Sequence, residues 1–395
     1  MMATILDRLD RDLQLADSER MLLDSVRAMT RDVIAPAAAG YDASGEFPWA
    51  NVEAINALGL NAMFVPEEYG GAELSYSAYL ACVHEISRAC GSTGVIWSTV
   101  YHAMKPLVEY GTHEQKLRLL PRIADGGLAS LAITEPDAGS DATGMKTRFR
   151  PDGDDIVVDG GKCFITNGDV ADLYLLFGKW AGIEDPRNAI SVLILEKDTP
   201  GLRVLGLEDK MGNRASSTAR IAFDGCRVPR ANLLRDPGDG LKILFGSLNR
   251  SRPSVAAHAL GLARGAFDSA VAYVNQRSQS GRRIVDNQGI QFMLADMATD
   301  IALATRWMWH VAGLVESGAD DFGIESSMLK MRASDVAMRV TENAVQLHGG
   351  YGYCRDFPVE RMMRDAKITQ IWEGTNQIHR QLIGRSFAEK RKKND

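Results

Sequence analysis

The spacing of apolar residues changes twice along the 395-residue chain. From about residue 17 to 125 it is helical, as in "SERMLLDSVRAMTRDVIAPAAA". From about 126 to 235, short runs rich in β-branched and aromatic residues are bounded by Gly, Asn, Asp or Pro, which is typical of antiparallel strands. Helical spacing then returns in long stretches. The pattern predicts an α+β fold: an N-terminal helical domain (1–125), a central antiparallel β-barrel or sandwich (126–235) and a C-terminal helical bundle (236–395).

Composition excludes several classes of partner. A net charge of -6 and a pI near 5.7 argue against nucleic acid, which requires clustered Lys and Arg. No apolar run approaches the ~20 residues that cross a bilayer, so we expect no membrane insertion. The five cysteines show no C-x-x-C spacing, which predicts reduced thiols in a cytoplasmic protein and no metal site.

Two segments are candidates for contact with a flat or anionic ligand. "LAITEPDAGSDATG" leaves backbone N–H groups uncovered and adds the hydroxyls of Thr134, Ser140 and Thr143, although an ordinary turn has the same composition. In "KCFITNG", Phe164 and Thr166 share one side of a predicted strand. They face either an aromatic cofactor or the protein core, and periodicity alone favours the core.

Two helical segments carry further candidates. "QLHGGYGY" ends a predicted helix, whereas a dinucleotide-binding fingerprint opens one, so a Rossmann fold is excluded. On a helix predicted to start near Ser251, the spacing of Ser251, Val255 and His258 puts all three on one face. His258 is either a core residue, the commoner case, or a catalytic one.

Glu373 in "KITQIWEGTNQIHR" is the strongest catalytic candidate. Between Trp372 and Gly374 its carboxyl group loses solvation, which disfavours the ionised form and suits removal of a weakly acidic C–H proton. The alternative is an acidic residue preceding a helix that starts near Thr375, where it complements the helix dipole. Spacing alone slightly favours the alternative.

Four motifs in order resemble the acyl-CoA dehydrogenase family: "AITEPDAGSD", "KMGNRASSTARIAFDGCRVPRANLL", "QLHGGYGY" and "RDAKITQIWEGTNQIHRQLIGR". The resemblance implies an N-terminal α domain, a central β domain and a C-terminal four-helix bundle. It also implies a homotetramer that binds FAD between subunits.

The resemblance further implies FAD-dependent α,β-desaturation of an acyl-CoA thioester. A glutamate removes the α-proton, flavin N5 accepts the β-hydride, and electrons pass to electron-transferring flavoprotein. Glu373 matches the base of most members, whereas some branched-chain and long-chain members carry the base at the position matching Ser251.

The matched positions imply a set of ligand contacts. Ser140 is expected near the CoA or FAD phosphates. The remaining expected FAD contacts are Leu131, Ile133, Thr134, Phe164 and Thr166 at the flavin, Arg277, Gln279, Gln288, Gln346 and Gly350 at the ADP half bound to a neighbouring subunit, and Thr375 and Gln377.

Three positions depart from the family pattern: Ser280 replaces a phenylalanine that stacks on the cofactor, Phe164 a tryptophan, and Trp372 a tyrosine. The substrate contacts expected besides Ser140 are Trp97, Tyr101, Ser251, Val255, His258, Trp372 and Gly374. Bulk at Trp97, Tyr101 and His258 predicts a short, branched or unusual acyl group. Alternatives are a flavin-dependent monooxygenase on the same fold, a dehydrogenase of acyl-carrier-protein thioesters, or a non-catalytic CoA-binding scaffold.

Overall fold

The computed structural model describes residues 5–11 and 13–388, so the basic end of the predicted C-terminal domain (389–395) lies outside the described residues. The first part is helical, and a π-helical turn (Thr30–Ile34) joins α2 to α3. Its α-helices are α1 (Ile5–Arg11), α2 (Asp17–Met29), α3 (Ala35–Ser44), α4 (Trp49–Ala57), α5 (Tyr76–Ala89), α6 (Gly91–Tyr110) and α7 (His113–Ala124).

The middle of the chain forms one curled sheet in the order β1-β4-β2-β3-β7-β6, with β5 paired to β4. The strands are β1 (Ala129–Ala132), β2 (Arg148–Asp152), β3 (Asp155–Thr166), β4 (Leu173–Trp180), β5 (Ile190–Glu196), β6 (Leu202–Leu207) and β7 (Thr218–Pro229). The antiparallel prediction is wrong for two pairs, because β1 and β2 both lie parallel to β4. Parallel neighbours need a long connection, and the β2–β3 hairpin supplies it between β1 and β4.

Side chains of β4 alternate between two cores. Leu173, Leu175 and Phe177 pack into the core shared with the helices, whereas Tyr174 and Leu176 face the inside of the curled sheet. Successive residues of a strand point to opposite faces, so this run of apolar residues is buried on both sides. The sheet is thereby fixed against the helices, and β1 contacts α6.

The last part of the chain is helical again, and α8, α9 and α10 pack against one another while α11 and α12 pack on α10. The elements are α8 (Gly240–Gln276), β8 (Ser278–Gln279), β9 (Arg282–Arg283), α9 (Gln288–Glu316), α10 (Gly323–His348), α11 (Val359–Lys367) and α12 (Asn376–Ser386). Among the described residues, no helix has the length and apolar character needed to cross a membrane.

Helix α8 starts eleven residues earlier than the sequence predicts and continues through Pro253. Proline has no N–H to donate to the carbonyl oxygen four residues before it, here that of Asn249. The hydroxyl of Ser326 on α10 donates to that oxygen at 2.7 Å. This bond replaces the backbone hydrogen bond that Pro253 cannot donate, so α8 stays continuous. Ser251 and His258 therefore keep the common face that their spacing predicts.

Candidate active site

Glu373 lies in a turn between α11 and α12 that has two consecutive left-handed residues. Its φ is 51°, and that of Gly374 is 93°. A non-glycine residue in this region is strained, so the surrounding structure must hold it. Thr375 is the N-cap of α12, where its side chain accepts from Ile378 N. The helix start expected near Thr375 is therefore present, and Glu373 precedes it in a conformation of its own.

The carboxylate of Glu373 is held from helix α8. Ser251 is buried, and its Oγ donates to Glu373 Oε2 at 2.6 Å. Ser251 Oγ also lies 3.2 Å from the carbonyl oxygen of Leu248. The turn and the face of α8 that carries Ser251, Val255 and His258 are thus in direct contact.

Two buried cations accompany Glu373. Lys330 on α10 is fully buried, and its Nζ donates to the carbonyl oxygen of Gly374 at 2.6 Å. Burial lowers the pKa of Lys330 to about 7, and the charge of Glu373 opposes that shift. Burial also lowers the pKa of Arg252, again opposed by Glu373. Both side chains therefore interact electrostatically with the Glu373 carboxylate.

His379 supports the turn from α12. A Cβ added to Gly374 would lie 3.2 Å from His379 Nε2, so the ring packs directly against the glycine. Burial lowers the pKa of His379 to about 3, and the charges of Arg252 and Lys330 contribute. The imidazole is therefore neutral, and only a residue without a side chain fits tightly at position 374.

Aromatic residues fill the space between α5, α6 and α8 beside this turn. Tyr79 stacks on Tyr101 with ring centroids 4.2 Å apart and lies 5.4 Å from Trp97. Its hydroxyl is 2.9 Å from Ser254 Oγ on α8. Trp97 is buried, and its Nε1 donates to Asn61 Oδ1 at 3.0 Å. Large rings therefore occupy the region where the sequence predicts the wall of an acyl pocket.

His258 is buried against Trp372, with ring centroids 5.6 Å apart. Its Nδ1 lies 2.9 Å from Ser87 Oγ on α5. Burial lowers the pKa of His258 to about 3, and His102 contributes. Val255, one turn earlier on α8, is also buried. His258 is a neutral side chain close to the candidate base.

A second group of predicted residues meets where β1 ends beside β3. Phe164 is 65% exposed and has a φ of 57°, because the β3–β7 register shifts between Lys162 and Ile165. Core packing of Phe164, which periodicity favours, is therefore wrong. The neighbouring predicted contacts are half-buried: Leu131, Ile133, Thr134 and Thr166. Ser140, farther along the loop, is exposed.

A buried ion pair fixes this loop to the sheet. Lys162 Nζ donates to Glu135 Oε1 at 2.8 Å and to the carbonyl oxygen of Ile133 at 2.7 Å. Glu135 also accepts from the backbone N–H groups of Lys146 and Thr147. Burial lowers the pKa of Lys162 to about 8, which Glu135 opposes. The pair holds the residues after β1 next to Phe164.

A third group lies at one end of the bundle, where α8 and α10 end and α9 begins. The stacking of Tyr273 on His348, with centroids 4.4 Å apart, joins the two helix ends. Ser280 is exposed with a φ of 53°. The predicted ADP contacts here are all exposed: Arg277, Gln279, Gln288, Gln346 and Gly350.

Thr375 and Gln377 line a cavity of about 440 Å³ beside α12. Its other lining residues are Asp335, Lys367, Gln370, Ile371, Asn376 and Arg380. Asn376 is buried and anchors the wall, donating to Asp335 Oδ1 at 2.8 Å and Ser334 Oγ at 2.9 Å.

Sequence reasoning places Glu373, Ser251, His258 and Trp372 together, and the structure brings these residues into contact. Sequence reasoning does not identify Lys330, Arg252 or His379 as neighbours of Glu373. Their partners lie far away in the sequence, and a lone cation or histidine in a helix gives no local signal. Tyr79 and His102 are missed for the same reason, although their helical spacing marks both as core candidates.

These groups define a mixed helical and β fold with a half-buried turn that carries a carboxylate, and an exposed aromatic side chain at a bulge of the sheet. Known families match consecutive parts of the chain: the acyl-CoA dehydrogenase N-terminal domain matches residues 16–127, the middle domain 130–226 and the C-terminal domain 238–388. The chain belongs to the acyl-CoA dehydrogenase family.

Individual relatives agree over nearly the full length. The acyl-CoA dehydrogenase of Bacillus subtilis (strain 168) is 42% identical over 375 residues, which covers 94% of this chain and 98% of the relative. The structure of butyryl-CoA dehydrogenase from Megasphaera elsdenii has a TM-score of 0.92 and 35% identity, covering 95% and 99% of the two chains. A chain from work on the electron transferring flavoprotein of Acidaminococcus fermentans has a TM-score of 0.93 and 40% identity, covering 96% and 100%.

The family consists of FAD-dependent oxidoreductases, and this chain is such an enzyme. The residues present fit the cofactor. The exposed ring of Phe164 offers a surface for stacking a flat heterocycle, beside the hydroxyls of Thr134 and Thr166. The exposed Arg277 and glutamine side chains at the bundle end offer donors for phosphates and a nucleotide.

Proposed function

We propose that this enzyme catalyses α,β-desaturation of a short, branched or unusual acyl-CoA thioester, with Glu373 as the base. The observation that most supports this proposal is the 2.6 Å hydrogen bond that Ser251 donates to Glu373 Oε2. It holds the carboxylate against the face of α8 that also carries Val255 and His258. A carboxylate in such a sheltered position suits removal of a weakly acidic α-proton.

The reaction converts a CH₂–CH₂ unit next to the thioester into CH=CH. Glu373 takes the α-proton, and Lys330 holds the turn in place by donating to the carbonyl oxygen of Gly374. The chemistry that FAD supplies when bound is acceptance of the β-hydrogen as a hydride at N5. Phe164, Thr134 and Thr166 would hold the flavin, with Leu131 and Ile133 beside them.

The size of the acyl group follows from the bulk beside Glu373. Trp97, Tyr79 and Tyr101 are all buried in one cluster, and His258 fills the face of α8 beyond Val255. A long linear chain requires an open channel at this place. The packing supports a compact acyl group.

We also propose a homotetramer and electron-transferring flavoprotein as the electron acceptor. Phe292, Leu303 and Trp307 project exposed from α9 with spacings that put them on one helix face. A row of large apolar side chains of this kind supports contact with a second copy. The acceptor is supported by the match to a chain from work on the electron transferring flavoprotein of Acidaminococcus fermentans.

The test is an anaerobic titration of the purified holoenzyme with butyryl-, isobutyryl-, dicarboxylic and palmitoyl-CoA. Compact acyl-CoAs should bleach the flavin absorbance, and Glu373→Gln should retain FAD and ligand binding but bleach about 10²–10⁴-fold more slowly. Normal bleaching by the variant would reassign the base. Fastest reduction by palmitoyl-CoA would refute the compact pocket, and oxygen consumption by reduced flavin with no response to any thioester would favour a monooxygenase.

A further inference from the structure

The side chain of Asp335 on α10 contacts both ends of the turn that carries Glu373. Its Oδ1 accepts from Gln370 Nε2 at 2.7 Å and from Asn376 Nδ2 at 2.8 Å. Gln370 lies three residues before Glu373 in the sequence, and Asn376 lies three residues after it. A single carboxylate oxygen therefore ties together the two points at which the turn begins and ends.

The second oxygen of Asp335 binds the helix that follows the turn. Oδ2 accepts from Arg380 Nη2 at 2.9 Å, about one turn into α12. The side chains of this ion pair are 30% and 55% exposed, and a solvent-exposed ion pair contributes little. Asn376, in contrast, is buried. The bonds to Oδ1 are therefore the ones that fix the turn.

The backbone of the turn needs such contacts. Glu373 has a φ of 51° and Gly374 a φ of 93°. A left-handed conformation at a non-glycine residue persists only where the surrounding structure holds it. Helix α10 holds it in two ways: Lys330 Nζ donates to the carbonyl oxygen of Gly374 at 2.6 Å, and Asp335 fixes the flanking residues.

The Asp335 bonds and the Ser251 bond act at opposite ends of the Glu373 side chain. Ser251 Oγ donates to Glu373 Oε2 at 2.6 Å and so fixes the carboxylate. Asp335 fixes the backbone from which that side chain projects. Because a displacement of about 1 Å can slow an enzyme about 10²-fold, both anchors bear on the rate.

We propose that Asp335 is a positioning residue for the base. Through Gln370 and Asn376 it sets where the turn places the Glu373 carboxylate relative to the α-carbon of the substrate. The inference rests on the proposed function, and it adds a residue that acts through the turn instead of on the thioester.

The surroundings of Asp335 also suggest a rival role. The same side chain lines the cavity beside α12 together with Thr375 and Gln377, which are expected FAD contacts. Loss of cofactor is thus the other explanation for a slow variant, so every rate is expressed per bound FAD.

The first experiment compares two variants of Asp335 in the holoenzyme by anaerobic stopped-flow absorbance. Asp335→Ala removes all three bonds and should slow flavin reduction at saturating butyryl-CoA about 10- to 100-fold, because the base is misplaced. Asp335→Asn keeps an oxygen that can accept both bonds of the turn and loses only the bond from Arg380, so its rate should stay within about threefold of the natural rate. The butyryl-CoA concentration at half-maximal rate should change less than about threefold in both variants.

The second experiment separates positioning of the base from a purely structural role. Glu373→Gln removes the base, so adding Asp335→Ala to it should slow the residual reduction less than about twofold. A role in folding or cofactor binding would slow both backgrounds equally. Asp268→Ala is the matched control, because this half-buried aspartate accepts from Arg88 and Arg264 where α8 meets α5. The control should leave the rate per bound FAD unchanged.

Gln370→Met decides the question if Asp335→Ala binds no FAD. It removes one of the two bonds to Oδ1, besides an exposed bond from Lys367, and leaves the buried Asn376 in place. The rate should fall about 3- to 10-fold in the natural background and less than about twofold in the Glu373→Gln background.

Three results would overturn the inference and leave the proposed function standing. One is a rate within about threefold of the natural rate in Asp335→Ala, or unchanged in Gln370→Met where that variant decides. Another is equal slowing in the natural and Glu373→Gln backgrounds. The third is an Asp335→Asn variant as slow as Asp335→Ala. Normal reduction of Glu373→Gln itself would instead overturn the proposed function together with this inference.

Discussion

Ser251 Oγ and Glu373 Oε2 are joined by a hydrogen bond of 2.6 Å across 122 residues of sequence. The hydroxyl comes from the middle of α8, and the carboxylate comes from the strained turn before α12. A hydrogen bond to a charged group contributes about 1.5–3 kcal/mol. The contact also means that side chains at the two positions reach the same point.

A carboxyl group moved from position 373 to position 251 should therefore recover part of the proposed chemistry. Glu373→Gly removes the base and suits the left-handed backbone. Adding Ser251→Glu should raise the rate of flavin bleaching by butyryl-CoA at least about tenfold over the single variant, because general-base catalysis is worth about 10²–10⁴-fold.

Anaerobic stopped-flow absorbance measures the bleaching, with FAD content and Tm recorded for each variant. Ser251→Ala in the natural background is the matched control and should slow bleaching without abolishing it. A double variant no faster than Glu373→Gly, at equal FAD content, would show that the two side chains do not reach one substrate carbon.

Much of this arrangement follows from local sequence. The change in apolar period locates the helical and β regions, and the face shared by Ser251, Val255 and His258 follows from their spacing. The start of α8 does not, because Pro253 inside a helix depends on Ser326 from another helix. Likewise the contact between Ser251 and Glu373 is set by how α8 meets the turn, and no local pattern encodes that.

Phe164 illustrates a different limit. Strict alternation of side chains in β3 assigns it a face, but the register shift between Lys162 and Ile165 turns it outward. A bulge depends on how two strands pair, so it is not visible in the periodicity of one strand. The parallel pairing of β1 with β4 is hidden for a similar reason, since pairing partners are a property of the whole sheet.

Lys330 should make stability depend on pH above neutrality. Burial lowers its pKa in the folded protein to about 7, whereas an unfolded lysine has a pKa near ~10.4. Between these values the unfolded chain binds more protons than the folded one, so this residue makes stability rise with pH across that window. The slope is at most about 1.4 kcal/mol per pH unit. Below about pH 7 both states are protonated and the contribution becomes constant.

Lys330→Met should therefore remove a pH-dependent term. The difference in Tm, natural enzyme minus variant, should increase from pH 7 to pH 9.5 at fixed protein and FAD concentration. Lys242→Met, at an exposed lysine in the first turn of α8, serves as a control for loss of a lysine elsewhere. A Tm difference that stays constant or decreases over this range would contradict a lowered pKa of Lys330 in the folded protein.

Loss of Lys162 should destabilise the β region strongly. Lys162→Met leaves Glu135 buried without its cation, and breaking a buried pair in this way costs about 3–5 kcal/mol. Adding Glu135→Gln should recover part of that loss, because the side chain is then neutral and its single amide oxygen can keep one of the two bonds, from Lys146 N–H to Oε2 and from Thr147 N–H to Oε1, that the carboxylate accepts.

Thermal or denaturant unfolding of the three variants gives the comparison. FAD content should fall in Lys162→Met, since the pair holds Ile133 next to Phe164. Lys146→Met is the control, because its exposed pair with Asp137 should contribute little. Equal stability of Lys162→Met and the natural enzyme would mean that the pair is not formed.

Leu303 should be essential to oligomer assembly. It is 65% exposed on α9, in line with Phe292 and Trp307. A charge buried in an apolar subunit interface is strongly unfavourable, so Leu303→Glu should dissociate the proposed tetramer. FAD should be released at the same time, because Arg277 and Gln346 are expected to bind the ADP half of a neighbour's cofactor.

Light scattering gives the mass, and absorbance gives the FAD content. Leu117→Glu, at a residue 49% exposed on α7, is the matched control and should change neither. A Leu303→Glu variant with the mass and FAD content of the natural enzyme would remove α9 from the interface.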